Sequence, residues 1–171
     1  MSRASRPWIG FGLAVLLVLV WGIGWGLFTH VRTQAYVGGS VPAGQPWTDP
    51  LTGTTYTVVE TETHKRIQRT ESTAEVAPDG AIFLLVHMTR VNVTEESVCY
   101  LDLIGPERMR WTAEVFGLPE SYGRCSYEEA STDYWMTYVV PERLVDEVLG
   151  VTIHFTTWNH NPAMELPPPG N

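Results

Sequence analysis

The sequence predicts an all-β domain, an antiparallel β-sandwich, carried behind a single transmembrane α-helix, and three observations predict it. An apolar run without a charge, Trp8 to Phe28, stands near the start of the 171-residue chain. After it, apolar residues recur with a period of two, the spacing of strands rather than of helices. Both cysteines, Cys99 and Cys125, fall in that second part.

Residues 1–7 are a short stub holding Arg3 and Arg6, and residues 8–28 are the helix. At about 1.5 Å per residue such a run spans roughly the 30 Å of a hydrocarbon core. A cleaved signal peptide would have a shorter apolar region, about 7–15 residues, ending in small residues; here Trp25, Leu27 and Phe28 close the run. The segment is therefore expected to remain as a signal anchor. Basic residues before the helix outnumber Arg32 behind it, which places the N-terminus in the cytoplasm and the rest outside. Gly22 and Gly26 form a GxxxG step, with Trp21 and Trp25 one turn apart beside it, so these four residues are the candidates for packing against a second helix. That contact would be self-association or pairing with another membrane or envelope protein.

Residues 29–50, rich in Gly, Pro and small polar residues, read as a tether. Residues 51–158 are expected to form the sandwich. "TYTVVETET" puts Tyr56 and Val58 on one face against Thr55 and Thr57. "AIFLLVHM" is apolar on both parities, with Ile82, Leu84, Val86 and Met88 opposite Phe83, Leu85 and His87, which predicts a central strand covered on both sides. "CYLDL" aligns Cys99, Leu101 and Leu103 and points Asp102 away. "YWMTYVV" aligns Tyr134, Met136, Tyr138 and Val140, and "LGVTIHF" aligns Leu149, Val151, Ile153 and Phe155. "APDG", "IGPER" and "LPESYG" are turns, and "PERLVDEV", Pro141 to Val148, is expected to carry the chain between sheets as a short turn. Strands at this spacing in about 100 residues favour an immunoglobulin-like sandwich. Residues 159–171, with their prolines, are expected to be a disordered tail.

In an oxidising compartment two cysteines in a small β domain form a disulfide, so Cys99 and Cys125 are expected to pair. No CxxC and no pair of histidines at ligand spacing suggests zinc.

The stretches "AIFLLVHMTRVNVTEES", "CYLDLIGPERMRW" and "TYVVPERLVDEVLGVTIHF" resemble the immunoglobulin-like extracytoplasmic domains of small membrane-anchored proteins and lipoproteins of actinobacteria, across roughly Gly80 to Phe155. The resemblance implies the fold and an envelope setting, and no catalytic residue. Arg90 departs from the pattern, standing where an apolar residue is usual.

All 19 acidic and nine of the eleven basic residues follow the helix, a formal balance of −10. Such a surface repels phosphate backbones, and nucleic acid is not an expected partner. No GxSxG, SxxK, HExxH or phosphate-binding glycine loop occurs, and Ser97, Ser121, Ser126 and Ser131 lack a base at recognisable spacing. Glu60 with Glu62, Glu95 with Glu96, and Glu128 with Glu129 read as solvated charge, and His87 and His154 as ordinary strand residues, like His30, His64 and His160 outside any site. "NVT" at Asn92 reads as a turn. An enzyme, a cofactor or a metal is not expected. The expected function is an accessory or protein-interaction module of the cell envelope, with Asp133 to Tyr138 a candidate contact surface. The alternative is a module that binds a peptide, glycan or metal.

Overall fold

The structure, a computed structural model, describes residues 5–33, with side chains at 12–27, and residues 38–69, 73–114, 122–123, 125, 131–153 and 161–169. Two compact units divide the chain, Met1–Gln34 and Ala35–Asn171.

The first unit is a helix, α1 (Ser5–Thr33). Its sequence is rich in Leu, Val and Trp and lacks proline after Pro7, so although it carries five glycines no proline breaks the backbone ladder. Every described side chain from Gly12 to Leu27 is exposed, on all sides of the helix. Among the described residues no helix is long and apolar enough to cross a membrane. The described side chains of α1 stop at Leu27, short of the roughly 20 residues that a span takes.

The second unit is a pair of facing sheets with a small hairpin. Its strands in chain order are β1 (Ser40–Val41), β2 (Trp47–Thr48), β3 (Thr55–His64), β4 (Arg66–Gln68), β5 (Ala74–Val76), β6 (Ala81–Val91), β7 (Asp102–Ile104), β8 (Arg110–Thr112), β9 (Ser131–Pro141), β10 (Gly150–Thr152) and β11 (Ala163–Met164). One sheet has the order β2-β3-β6-β9 and the other β1-β11-β10-β7-β8; β4 and β5 pair separately. Neighbours are antiparallel except β1 and β11, which run parallel.

The period-two pattern settles the faces. Tyr56, Val58, Leu84, Val86, Met88, Tyr134, Met136, Tyr138 and Val140 of the four-stranded sheet meet Leu103, Val151 and Met164 of the other in one buried core. β6 is central and covered on both sides, because Phe83 and Leu85 enter a second cluster with Ile67 and Ala77 under the β4–β5 hairpin. After β9 a 3-10 turn (Glu142–Glu147) carries the chain from one sheet to the other, buries Leu144 and leads into β10.

Arg90 sits in this core without disturbing the register, opposite Tyr56 on one side and Thr132 on the other. It is fully buried. Its Nε donates to Thr132 Oγ1 at 2.7 Å and its Nη1 to Val98 O at 3.2 Å. The guanidinium stands 5.5 Å from the Tyr134 ring centre, where the ring face attracts a cation. Tyr56 closes the network, donating to Val98 O at 3.1 Å and accepting from Val98 N at 3.0 Å.

Three expectations need correction, on the tether, the tail and Leu149. The tether does not extend to residue 50: α1 reaches Thr33, and β1 and β2 belong to the sheets. Residues 161–169 of the expected disordered tail are ordered, with Ala163 and Met164 buried between β1 and β10. Strands of two residues are too short to show a period, and a proline-rich sequence with no preference of its own takes its order from the groove that holds it. Asp102 points away from the main core as expected but is buried, with Arg110 Nη1 3.5 Å from its Oδ2. Leu149, expected on the inner face of its strand, lies before β10 and is exposed.

Candidate functional site

The open part of the outer face of the four-stranded sheet gathers the chemistry-bearing side chains of the domain. The backbone puts them there through a β-bulge. Val58 pairs with Met88 and Glu60 with His87, so Val59 is an extra residue on β3. A strand alternates its side chains, and one inserted residue reverses the parity of everything after it. Tyr56 and Val58 face the core before the bulge; after it Thr61 and Thr63 do, and Glu60, Glu62 and His64 turn outward. A regular strand would have driven two carboxylates into the apolar core.

Across this face Glu60, His87 and Trp135 share one cross-strand row on β3, β6 and β9. His87 is clamped between two carboxylates: its Nδ1 lies 3.1 Å from Glu60 Oε1, and its Nε2 contacts Asp133 Oδ1. A neutral imidazole donates through only one ring nitrogen, an imidazolium through both. The ring stacks on Trp135, with centroids 4.6 Å apart and planes inclined by 6°, and Tyr122 meets the other ring of that pair edge-on, 5.3 Å from Trp135. His64 Nε2 and Glu62 Oε2 are 2.8 Å apart beside them. Burial is the main cause of a raised Tyr122 pKa, and the Glu62 carboxylate adds to it. Glu60 and Asp133 remain well exposed although His87 is mostly covered.

These groups satisfy one another. Among the described residues no group of three or more His, Cys, Asp or Glu side chains is placed to hold a metal ion. Here the two nitrogens of one imidazole point to different carboxylates, which braces three strands rather than converging on one ion.

The disulfide joins Cys99 and Cys125, with Cα atoms 5.6 Å apart. Cys99 is buried and Cys125 partly covered against the main core. On α1 the rings of Trp21 and Trp25 stack with centroids 5.9 Å apart. A methyl group at Gly22 or Gly26 would meet nothing within 4 Å. The face with these four residues is therefore open in the single chain.

The Asp133 to Tyr138 stretch divides by parity. Tyr134, Met136 and Tyr138 are core, and Asp133 and Trp135 belong to the outer face. Glu95 and Glu96 are exposed in a turn, and Asn92 begins that turn with φ 57°. Ser97 is buried, bonded to Thr54 Oγ1 at 2.6 Å. His154, His160, Ser121, Ser126, Glu128 and Glu129, and the side chains of His30 and Ser131, lie outside the described residues.

Sequence reasoning missed the clamp. The residue types were visible, but the bulge that brings Glu60 beside His87 leaves no mark in composition, and the apolar Val59 even extends the wrong period. No family model matches the chain, and no curated protein or solved structure matches it.

Proposed function

We propose that the chain is a membrane-anchored accessory module of the cell envelope, an immunoglobulin-like domain held outside the cytoplasmic membrane by its N-terminal helix and working through contact with another protein. The observation that carries this reading is α1. Its sequence is apolar and uncharged from Trp8 to Phe28, and its described side chains are exposed on every side. A helix that is hydrophobic all round is stable where lipid or other helices surround it. The disulfide supports an oxidising compartment for the β domain.

The immunoglobulin-like assignment is supported by strand order. The order β11-β10-β7-β8 follows the G-F-C-C′ order of a variable-type sheet, and β3-β6-β9 follows A-B-E. The disulfide differs from that family's hallmark, since neither cysteine lies on a strand. Binding of a protein rather than a small ligand is favoured by the outer face, where His87 contacts Glu60 and Asp133 and stacks on Trp135, so that these groups present a mutually engaged surface.

The test is gentle detergent purification of the tagged full chain from its native membrane, beside a form lacking residues 1–28 exported by a cleavable signal. A membrane protein recovered in stoichiometric amount with the full chain alone supports the reading. Recovery of both forms without a partner, or of the full chain in the soluble fraction, rejects it.

A further inference from the structure

The last described stretch, Asn161 to Pro169, is held as a bound peptide is held. Its sequence, with prolines at 162, 167, 168 and 169, has no apolar period and no secondary-structure preference of its own. Proline lacks an N–H and so leaves fewer donors to satisfy when an extended segment is buried. The stretch is nonetheless ordered, and the groups that order it come from elsewhere in the domain.

On one side β1 pairs with it in parallel: Gly38 N donates to Asn161 O at 3.0 Å, Ala163 N to Gly39 O at 3.0 Å and Glu165 N to Val41 O at 2.9 Å. On the other side a single register pair, Val151 with Met164, joins it to β10. Side chains complete the grip. Thr152 Oγ1 donates to Pro162 O at 2.9 Å, Asn161 Nδ2 to Ile153 O at 2.9 Å, and Thr61 Oγ1, from the opposite sheet, to Pro167 O at 2.8 Å. Met164 fills the core and Leu166 rests against it, while Glu165 between them is only partly covered. Gly150, at φ +149°, lets the strand approach so closely that a Cβ there would stand 2.3 Å from Met164 O. Backbone bonds for affinity and pockets for alternate side chains for specificity are the marks of strand-addition peptide recognition.

We infer that the groove between β1, β10 and Thr61 is a peptide-binding site whose resident occupant is the chain's own C-terminal segment. Its exchange partner is an extended segment of another protein, carrying a small residue and a methionine-sized residue in sequence with prolines on both sides. The resident segment is then an autoinhibitory strap, because any incoming strand competes with an occupant tethered at high effective concentration. The inference sharpens the interaction-module reading and rests on it only for the existence of a partner.

The experiment uses the full chain in detergent and a chain ending at His160, with a fluorescent peptide of residues 161–171, a scrambled peptide and a peptide carrying Met164→Asp. The shortened chain should bind the native-sequence peptide, or recover its native β circular dichroism when the peptide is added, and should ignore the other two. The full chain should bind the same peptide at least tenfold more weakly, and adding Thr61→Val and Thr152→Val should narrow that gap. A shortened chain that folds without binding, or that neither folds nor is rescued, overturns the inference. Equal binding by both chains, or none by the full chain at millimolar peptide, overturns it as well. These outcomes leave the membrane anchor untouched, since co-purification reads the helix and peptide exchange reads the groove.

Discussion

Tyr138 is buried at the centre of the sandwich and donates to Leu101 O at 2.8 Å. Burial pushes its ionisation well above the usual tyrosine value, with Tyr134 and Asp102 adding to the shift, and burial also raises Tyr56. Up to about pH 10 the phenol keeps its proton folded or unfolded. Above that the unfolded chain releases a proton that the native state retains, so stability falls as pH rises. Tyr138→Phe should therefore reduce the alkaline slope by up to about 1.4 kcal/mol per pH unit, while costing about 1 kcal/mol at neutral pH for the lost hydrogen bond. Urea unfolding at stepped pH from 7 to 11 measures both, and parallel curves for variant and parent would refute the assignment. Gly150 gives a second prediction at this scale. Its φ of +149° is one that only glycine takes readily, and Met164 O closes the space where a Cβ would stand. Gly150→Ala should cost on the order of 1–3 kcal/mol from backbone strain before the clash is counted; an unchanged denaturation midpoint would show that β10 and β11 can separate freely. Arg90 marks the limit of residue-scale legibility. A charged residue at a core parity reads from sequence as a broken register, and only the Val98 carbonyl, the Thr132 hydroxyl and the Tyr134 ring, none adjacent to it in the chain, explain why the register holds.

The bulge on β3 is the element on which both faces of the four-stranded sheet depend. Deleting Val59 would remove the extra residue and leave Val58 opposite Met88 and Glu60 opposite His87 in a regular ladder, with Tyr56, Val58 and Thr61 still inward and Glu60 and Glu62 still outward. The deletion should therefore keep the native fold, because it forces no unpaired carboxylate, which would cost several kcal/mol, into the apolar interior. Val59→Ala keeps the insertion, and Val59 is 45% exposed, so it should lie within about 0.5 kcal/mol of the parent. Circular dichroism melts of the two variants decide the matter, and an unfolded deletion variant would mean that Val59 does more than carry the extra residue of the bulge. The disulfide acts on a different scale of chain length. Its 26-residue separation corresponds to about 3.5 kcal/mol of restricted unfolded-chain entropy, so Cys99→Ala with Cys125→Ala should lower stability by up to that amount without moving β6 or β9. Of the strands legible in the sequence, β3, β6 and β9 have ten or eleven residues, long enough for a period of two to stand above chance, and the three-residue β7 and β10 were legible because Leu101 with Leu103 and Val151 with Ile153 keep that period beyond the strand ends. β1, β2 and β11 have two residues each, and their identity as strands lies wholly in their neighbours. The cysteine pairing was legible because two cysteines allow one intramolecular partner each. The His87 clamp was not, because its members lie 27 and 46 residues apart in sequence and one of them is positioned by an irregularity.

Across the whole molecule the two units divide the chemistry without overlap, and this division makes the anchor reading testable on intact chains. The β domain buries most of its apolar residues in its own two clusters and exposes the rest singly, whereas α1 exposes Leu13, Leu16, Leu17, Val18, Leu19 and Val20 in succession, each at least 56% accessible. Water would not tolerate such a surface on a monomer, since contiguous apolar patches on soluble proteins seldom exceed a few hundred Å². If lipid covers it, a lysine at the helix centre should cost roughly 2.5–3.5 kcal/mol of insertion free energy, and Leu16→Lys with Leu17→Lys together should move most of the chain out of the membrane. The β domain gives an internal control, because its disulfide and melting transition should be unchanged wherever the oxidising compartment still receives it. Alkaline carbonate extraction followed by non-reducing electrophoresis measures both on one sample. A parent chain released by carbonate would show that α1 is covered by protein and not by lipid. A double-lysine chain that stays in the pellet with the parent would show that neither position faces the hydrocarbon, and would turn attention to Trp21, Gly22, Trp25 and Gly26 as the face that meets a partner helix.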